Sequence, residues 1–292
     1  MPKAPIVVAV DGSQTANAAV AWAALAARSD SVPLLLVNSA TLPALYGTTV
    51  AFTQSDFDMV HADGERILAE ARQIAVDVAG PGATIDVSAE LVTGSIIPAL
   101  LDLSKNASLL VVGSRGLGAF TRSLVGSVSS AVTRHASCPV AVIKDDSIAE
   151  VVARSGPIVV GVDGSDNSMP AVEFAFAAAA ARGAEVLAVH AWADASQFRL
   201  PDLEFSAVAE AEEALVSAAL AGSRQDYPDV PVRTVTVRDR PARNILEQSE
   251  GAQFVVVGSH GRGGFNGMLI GSTSQSLLHS VECPIVIVRN SG

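Results

Sequence analysis

Short, nearly unbroken runs of valine, isoleucine and leucine alternate along this chain with longer stretches whose apolar residues recur every three or four positions. The runs Ile6–Val10, Leu34–Val37, Asp86–Val92, Leu109–Val112 and Val140–Ile143 read as strands. Their continuous apolar content predicts burial on both faces, as in a parallel sheet. Between them, Ile67, Ala71, Ile74 and Val78 mark one face of a helix, and Val208, Ala211, Leu215 and Ala219 mark its counterpart further on. Ser13 and the stretch from Asp166 to Ser168 offer N-caps, and Pro170 suits a first helical turn. Strands alternating with helices through short links predict a doubly wound α/β architecture.

That architecture is written twice. Ile6-Val-Val-Ala-Val-Asp-Gly-Ser13 returns as Ile158-Val-Val-Gly-Val-Asp-Gly-Ser165, a shift of 152 residues. Leu109-Leu-Val-Val-Gly-Ser-Arg-Gly116 returns as Phe254-Val-Val-Val-Gly-Ser-His-Gly261, and Cys138-Pro-Val-Ala-Val-Ile143 returns as Cys283-Pro-Ile-Val-Ile-Val288, both shifted by 145. A period this long is a domain duplication, because solenoid repeats are far shorter. Domains are expected over residues 1–147 and 155–292, joined by the charged stretch Lys144 to Pro157. Trp22 and Phe174 align between the copies and read as core.

Composition narrows the function. The chain has 292 residues, 49% of them hydrophobic, and a formal charge of −11. That apolar share supplies two cores, and the negative field repels phosphate backbones and anionic lipid, so nucleic-acid binding is not expected. No apolar run approaches the ~20 residues of a membrane span, and the N-terminus lacks a secretory signal, so a cytoplasmic protein is expected. Cys138 and Cys283, each followed by proline, read as buried side chains at strand starts. His61, His135, His190 and His279 recur at no matching position, which speaks against a metal site.

In a doubly wound sheet, ligands bind beyond the carboxyl ends of the strands, where the strand order reverses. Two sets of residues fall there in each copy. Asp11-Gly-Ser and Asp163-Gly-Ser follow the first strand. After the fourth come Gly113-Ser-Arg-Gly116, nine residues, and Gly126-Ser127, matched by Gly258-Ser-His-Gly261, nine residues, and Gly271-Ser272. The spacing G-x-x-G-x9-G-[ST] is kept although the intervening residues differ, LGAFTRSLV against RGGFNGMLI. Glycines there permit positive φ and close approach to a ligand, and the following helix offers N–H groups without internal partners. Micromolar binding needs ~8 kcal/mol, so several charge-assisted bonds must converge. No Walker loop, no G-x-G-x-x-G, no H-E-x-x-H and no G-x-S-x-G occurs.

With these motifs in place, the chain resembles the universal stress protein family in its tandem, ATP-binding form. The resemblance rests on V-x-V-D-G-S at each first strand, G-x-x-G-x9-G-S after each fourth and C-P-[VI] at each last. It implies two Rossmann-like, doubly wound parallel five-stranded sheets of order 3-2-1-4-5, related by a pseudo-twofold through their apolar last strands. It also implies ATP, two per chain, with Mg²⁺ bridging the phosphates. Asp11 and Asp163 would contact the nucleotide near ribose or adenine, with Gly12 and Gly164 allowing close approach. Val37 and Val189, ending the second strand, would flank the adenine. Gly113, Gly116, Gly126 and Ser127 would cradle ribose and phosphates in the first copy, and Gly258, Gly261, Gly271 and Ser272 in the second. Ser129 and Ser274 would add hydroxyls to the phosphates or to the Mg²⁺, and Arg115, Val128, His260 and Thr273 would complete the ATP-binding set. The copies part at Arg115 against His260, and at Thr93-Gly94-Ser95 against Arg238-Asp239-Arg240.

Alternatives remain at some positions. Asp11 and Asp163 also suit helix capping, His260 suits a loop over the ligand or a base, and Arg238, Arg240 and Arg243 fit either a solvated cluster or a counter-charge for phosphate. The function implied is an ATP-binding regulatory protein of stress or dormancy, with a second copy of the chain and a protein partner as binding partners. A slow ATPase and a nucleotide-independent interaction scaffold are the competing readings. No dedicated catalytic base or nucleophile stands out.

Overall fold

The structure, a computed structural model, describes residues 3–41, 53–82, 85–116, 125–192, 202–238, 240–262 and 269–289. The chain divides into two compact units, Met1–Val152 and Ala153–Gly292.

The first unit runs β1 (Ile6–Ala9), α1 (Gln14–Asp30), β2 (Leu34–Ala40), α2 (Gln54–Ala79), β3 (Val87–Thr93), α3 (Ile96–Leu103), β4 (Leu109–Gly113), α4 (Ser127–His135) and β5 (Val140–Ile143). All its strand pairs are parallel, in the order β3-β2-β1-β4-β5. The second unit repeats this with β6 (Ile158–Gly161), α6 (Met169–Arg182), β7 (Val186–Trp192), α7 (Asp202–Asp226), β8 (Val232–Arg238), α8 (Pro241–Gln248), β9 (Phe254–Gly258), α9 (Ser272–Ser280) and β10 (Ile285–Val288). Its parallel order is β8-β7-β6-β9-β10. Both units are therefore Rossmann-like halves of the expected order 3-2-1-4-5. The stretch between them carries a short helix, α5 (Ile148–Ala153), where Ser147 Oγ accepts from Glu150 N at 3.2 Å.

Strands β1, β4, β6, β9 and β10 are buried on both faces, because helices cover each side. Helix α1 starts at Ser13, whose side chain accepts from Ala16 N, and ends at Ser31 in the left-handed region, φ 52°. Alanines line most of it, so it lies close against β4 and α2. Trp22 sits in the core as expected. Phe174 does not: it is half-buried, and Phe176 two residues on takes the fully buried place. Cys138 and Cys283 are buried and free, and burial pushes the Cys138 thiol up to about 11.

Three expectations shift at element boundaries. Strands β2 and β7 run three residues beyond Val37 and Val189, because the ladder with β3 and β8 continues after the side chains turn polar. On α7 the inward face passes through Glu212, Leu215, Val216 and Ala219, and Ala211 is exposed. Ser168 is the N-cap of α6 with Pro170 in its first turn, yet its side chain makes no cap bond. Its hydroxyl donates to Ser165 O at 2.9 Å instead.

Candidate functional site

In each unit the strand order reverses between the first and fourth strands, and a cavity opens at their carboxyl ends. The first encloses about 520 Å³ and the second about 540 Å³. Both fall in the ~300–1,000 Å³ range of small-molecule sites.

The first cavity is lined by Val10 and Asp11 after β1, Gly113, Arg115 and Gly116 after β4, and Gly126 with Ser127, Val128 and Ser129 at the start of α4. Ala16 and Ile96 close its sides. Each loop is fixed by named bonds. Ser13 N donates to Asp11 Oδ1 at 3.0 Å, Thr15 Oγ1 donates to Arg115 O at 2.7 Å, and Gly126 N donates to Ser114 O at 2.8 Å. The Arg115 guanidinium pairs with Asp146 at 2.5 Å.

The second cavity repeats the plan with Asp163, Gly258, His260, Gly261 and Gly271 to Ser274. It extends further, along β7 through Val189, His190, Ala191 and Trp192, and reaches Pro241 and Ile245 of α8. Asp163 Oδ1 accepts from Ser165 N at 2.9 Å and Ser165 Oγ at 2.6 Å, and its Oδ2 accepts from Arg262 N at 2.8 Å. Burial pushes this carboxyl up, but the bonds from Ser165, Arg262 and Ser168 together outweigh it and hold the group below the usual carboxylate range. Asp163 is therefore an anion at neutral pH, with acceptor capacity engaged by its own turn through Ser165 and by the loop after β9 through Arg262.

The glycines act through space rather than through φ. Gly126 and Gly271 have φ −63° and −68°, and Gly113, Gly116, Gly258 and Gly261 are likewise outside the left-handed region. A Cβ on Gly116 would run into Asp11 Oδ2, and one on Gly261 into Asp163 Oδ2. One on Gly113 would press on the Thr15 and Ala16 backbone at 3.0–3.1 Å. Positive φ occurs instead at Gly12 (82°) and Gly164 (73°), where the space of a Cβ is taken by Ile67 and Leu215. These two glycines turn the chain beside α2 and α7. Neither lines a cavity.

Other expected residues are placed as follows. Val37 is fully buried inside β2 and does not line the first cavity, whereas Val189 lines the second. Ser129 and Ser274 reach their cavities, but their hydroxyls donate to Gly113 O and Gly258 O, each at 2.6 Å. These bonds latch the start of α4 and α9 to the end of the fourth strand, and only lone pairs remain for a ligand. Replacing Ser129 by alanine removes the donor to the Gly113 carbonyl. A loss of ~0.5–1.5 kcal/mol in unfolding free energy is expected in a urea titration, the net worth of a hydrogen bond whose part-buried acceptor can be reached by water from the cavity. Asp11 and Asp163 do not cap their helices; Ser13 caps α1. Arg243 faces solvent and pairs with Glu247 at 2.8 Å, and Arg238 and Arg240 do not line the second cavity. Asp239 and the inner parts of the two nine-residue loops lie outside the described residues.

Two residues were not foreseen as part of a site. His190 is 1% exposed and lines the second cavity, and Glu212 meets it from α7 at 2.8 Å. The signal for Glu212 was present, since it lies four residues after Val208 and three before Leu215, on the inward face.

Among the described residues, no group of three or more His, Cys, Asp or Glu could hold a metal, and no helix is long and apolar enough to cross a membrane. The anion-attracting elements are the starts of α4 and α9. There the N–H groups of residues 127–129 and 272–274 precede the first helical acceptors, which serve Ser130 N and Gln275 N.

A family profile described as the universal stress protein family matches residues 4–144 and 155–289. A universal stress protein of Mycobacterium tuberculosis strain H37Rv is 42% identical over 292 residues, covering 98% of this chain and 97% of its own length. A second from the same strain is 36% identical over 286 residues, with 98% and 96% covered. Among solved structures, a universal stress protein from Archaeoglobus fulgidus superposes with a TM-score of 0.71 at 21% identity, over 99% of this chain and 98% of that one.

Proposed function

This chain belongs to the universal stress protein family, and on that premise we propose that it binds ATP in both cavities and uses the bound nucleotide to set its conformation or its binding of a protein partner under stress. The observation that carries this reading is the pairing, twice over, of an acidic side chain and a glycine with no room for a Cβ, opposite a helix start with free N–H groups. The carboxylate suits a ribose hydroxyl, which donates; the helix start suits phosphate, which only accepts. The carboxylate could not serve the phosphate, because both only accept.

The fit of ATP follows from the donor set. Each helix start presents three N–H groups and a serine hydroxyl, Ser127 or Ser272, to an anion. Dipole attraction alone contributes ~0.3–1 kcal/mol, so the charge-assisted bonds at ~1.5–3 kcal/mol each must supply most of the ~8 kcal/mol of micromolar binding. Arg115 adds a cation at the first site, and its pairing with half-exposed Asp146 is of the kind worth ~0–1 kcal/mol, so a phosphate can draw the guanidinium across. Mg²⁺ would be held through phosphates and water, with the serine hydroxyls in reach. The apolar side chains of Val10 and Ile96, and of Val189, Trp192 and Ile245, suit a purine.

The test is direct. Protein denatured straight after purification, or after incubation with ATP and Mg²⁺, should release close to two adenine nucleotides per chain on chromatography. Release of none after incubation would overturn the reading. A partner pulled down only from the nucleotide-loaded form would establish the regulatory half of it.

A further inference from the structure

The two sites rest on different supports. His190 Nδ1 lies 2.7 Å from Val162 O, and its Nε2 lies 2.8 Å from Glu212 Oε2. A carbonyl only accepts, so Nδ1 carries a proton, and a further proton must lie between Nε2 and the carboxylate. The ring is therefore clamped from both ends, inside the sheet, by a charge-assisted bond to α7.

Both ends of this clamp lead to the site. Val162 immediately precedes Asp163, so the ring holds the acidic turn from behind. On the other side, Arg262 Nη1 stands 3.6 Å from Glu212 Oε2, while Arg262 N donates to Asp163 Oδ2. Glu212 thus ties together β7, through His190, and the glycine loop after β9, through Arg262. Among the described residues, the charges facing the ring are those of Glu212 and, through it, Arg262. The neighbour of His190 in the β8 register is Thr236, and on α8 the charged Arg243 and Glu247 face solvent and pair with each other.

Among the described residues, the first unit has no equivalent pair. Asn38 occupies the place of His190, since β2 and β7 align residue for residue from Leu34 and Val186. Gly12 meets Ile67 as Gly164 meets Leu215, which aligns α2 with α7 and puts Gly64 in the place of Glu212. Leu91 fills the space at Gly64, and the counterpart of Arg262 is Leu117.

We propose that His190 and Glu212 are positioning residues of the second site alone, bracing the Asp163 turn and the glycine loop after β9 so that this site holds an adenine nucleotide more tightly than the first. The proposal rests on the nucleotide reading above. Both ring nitrogens of His190 and Oε2 of Glu212 are engaged within the brace, so His190 does not act on the ligand through its polar atoms.

ATP titrations by calorimetry in two backgrounds test it, Gly116→Val to leave only the second site and Gly261→Val to leave only the first. With the second site alone, Glu212→Ala and His190→Asn should each raise Kd roughly tenfold or more, as loss of a charge-assisted support implies. Glu212→Gln, whose amide can pair with the ring in either sense, should stay within about threefold of the parent, a rescue that bulk packing would not give. The double variant His190→Asn with Glu212→Ala leaves no buried charge behind, so it should keep its thermal midpoint while binding as weakly as the single variants. With the first site alone, all of these should bind like their parent. Unchanged second-site binding in the double variant, or damage by Glu212→Gln equal to that by Glu212→Ala, would overturn the proposal alone. Absence of binding in both backgrounds would overturn the nucleotide reading and this proposal with it.

Discussion

Replacing Gly116 by valine is expected to abolish the proposed nucleotide binding in the first cavity and spare it in the second, and replacing Gly261 should do the reverse. The cause is local. A Cβ at either position would enter the space of Asp11 Oδ2 or Asp163 Oδ2, so the carboxylate must leave its place to admit the side chain. Losing the charge-assisted bond from Asp11 or Asp163 costs ~1.5–3 kcal/mol, a tenfold to roughly hundredfold fall in affinity, before the methyls narrow the cavity itself. The fold should survive, because neither glycine needs a positive φ. Gly126→Ala is the contrasting variant. Its Cβ would stand 3.5 Å from Ser114 O, an ordinary contact, and alanine for glycine at this N-cap costs about 1 kcal/mol of helix stability without entering the space of Asp11. Nucleotide released per chain should fall from two to one for either valine variant and to none for the pair, while Gly126→Ala retains both. Equal loss from Gly126→Ala would mean that the loops bind through backbone freedom, against the geometry described above.

That contrast shows where the sequence is informative. The repeat and the glycine spacing were legible because each depends on main-chain geometry that only a few residue types permit, whereas the strand order came from the family resemblance. The role within the spacing was not legible. A glycine kept for positive φ and one kept for clearance look alike in a sequence, and here Gly12 and Gly164 are of the first kind while Gly116 and Gly261 are of the second. Hydroxyls pose the same difficulty. Ser129 and Ser274 stand beside the expected phosphate position, yet their protons go to Gly113 O and Gly258 O. Val37 and His190 show the limit of matching one copy against the other. The copies share their backbone course along the second strand, but the second cavity reaches that strand and the first does not. What the sequence hides is the partner a side chain chooses once several are in reach.

The second large effect expected is on stability, and it leads back to the ligand. Phe254, fully buried at the start of β9, lies under the Arg182 guanidinium, 4.8 Å from the ring centroid. Phe254→Ala should lower the unfolding free energy by ~3–5 kcal/mol, from lost transfer energy and the cavity left behind. Phe254→Leu, which installs the residue found at the matching Leu109, should cost less than ~1.5 kcal/mol, because it keeps most of the volume. Strand β9 ends at Gly258, the first glycine of the second loop, so a nucleotide bound as proposed would stabilise the same strand as Phe254, from the opposite end. A ligand that binds only the folded form adds ~2.7 kcal/mol per site at a hundredfold excess over Kd. ATP should therefore restore much of the urea midpoint lost in Phe254→Ala, and do so far less once Gly261→Val is added. If ATP shifts the midpoint of neither Phe254→Ala nor the parent chain, the second cavity does not hold it in the folded state.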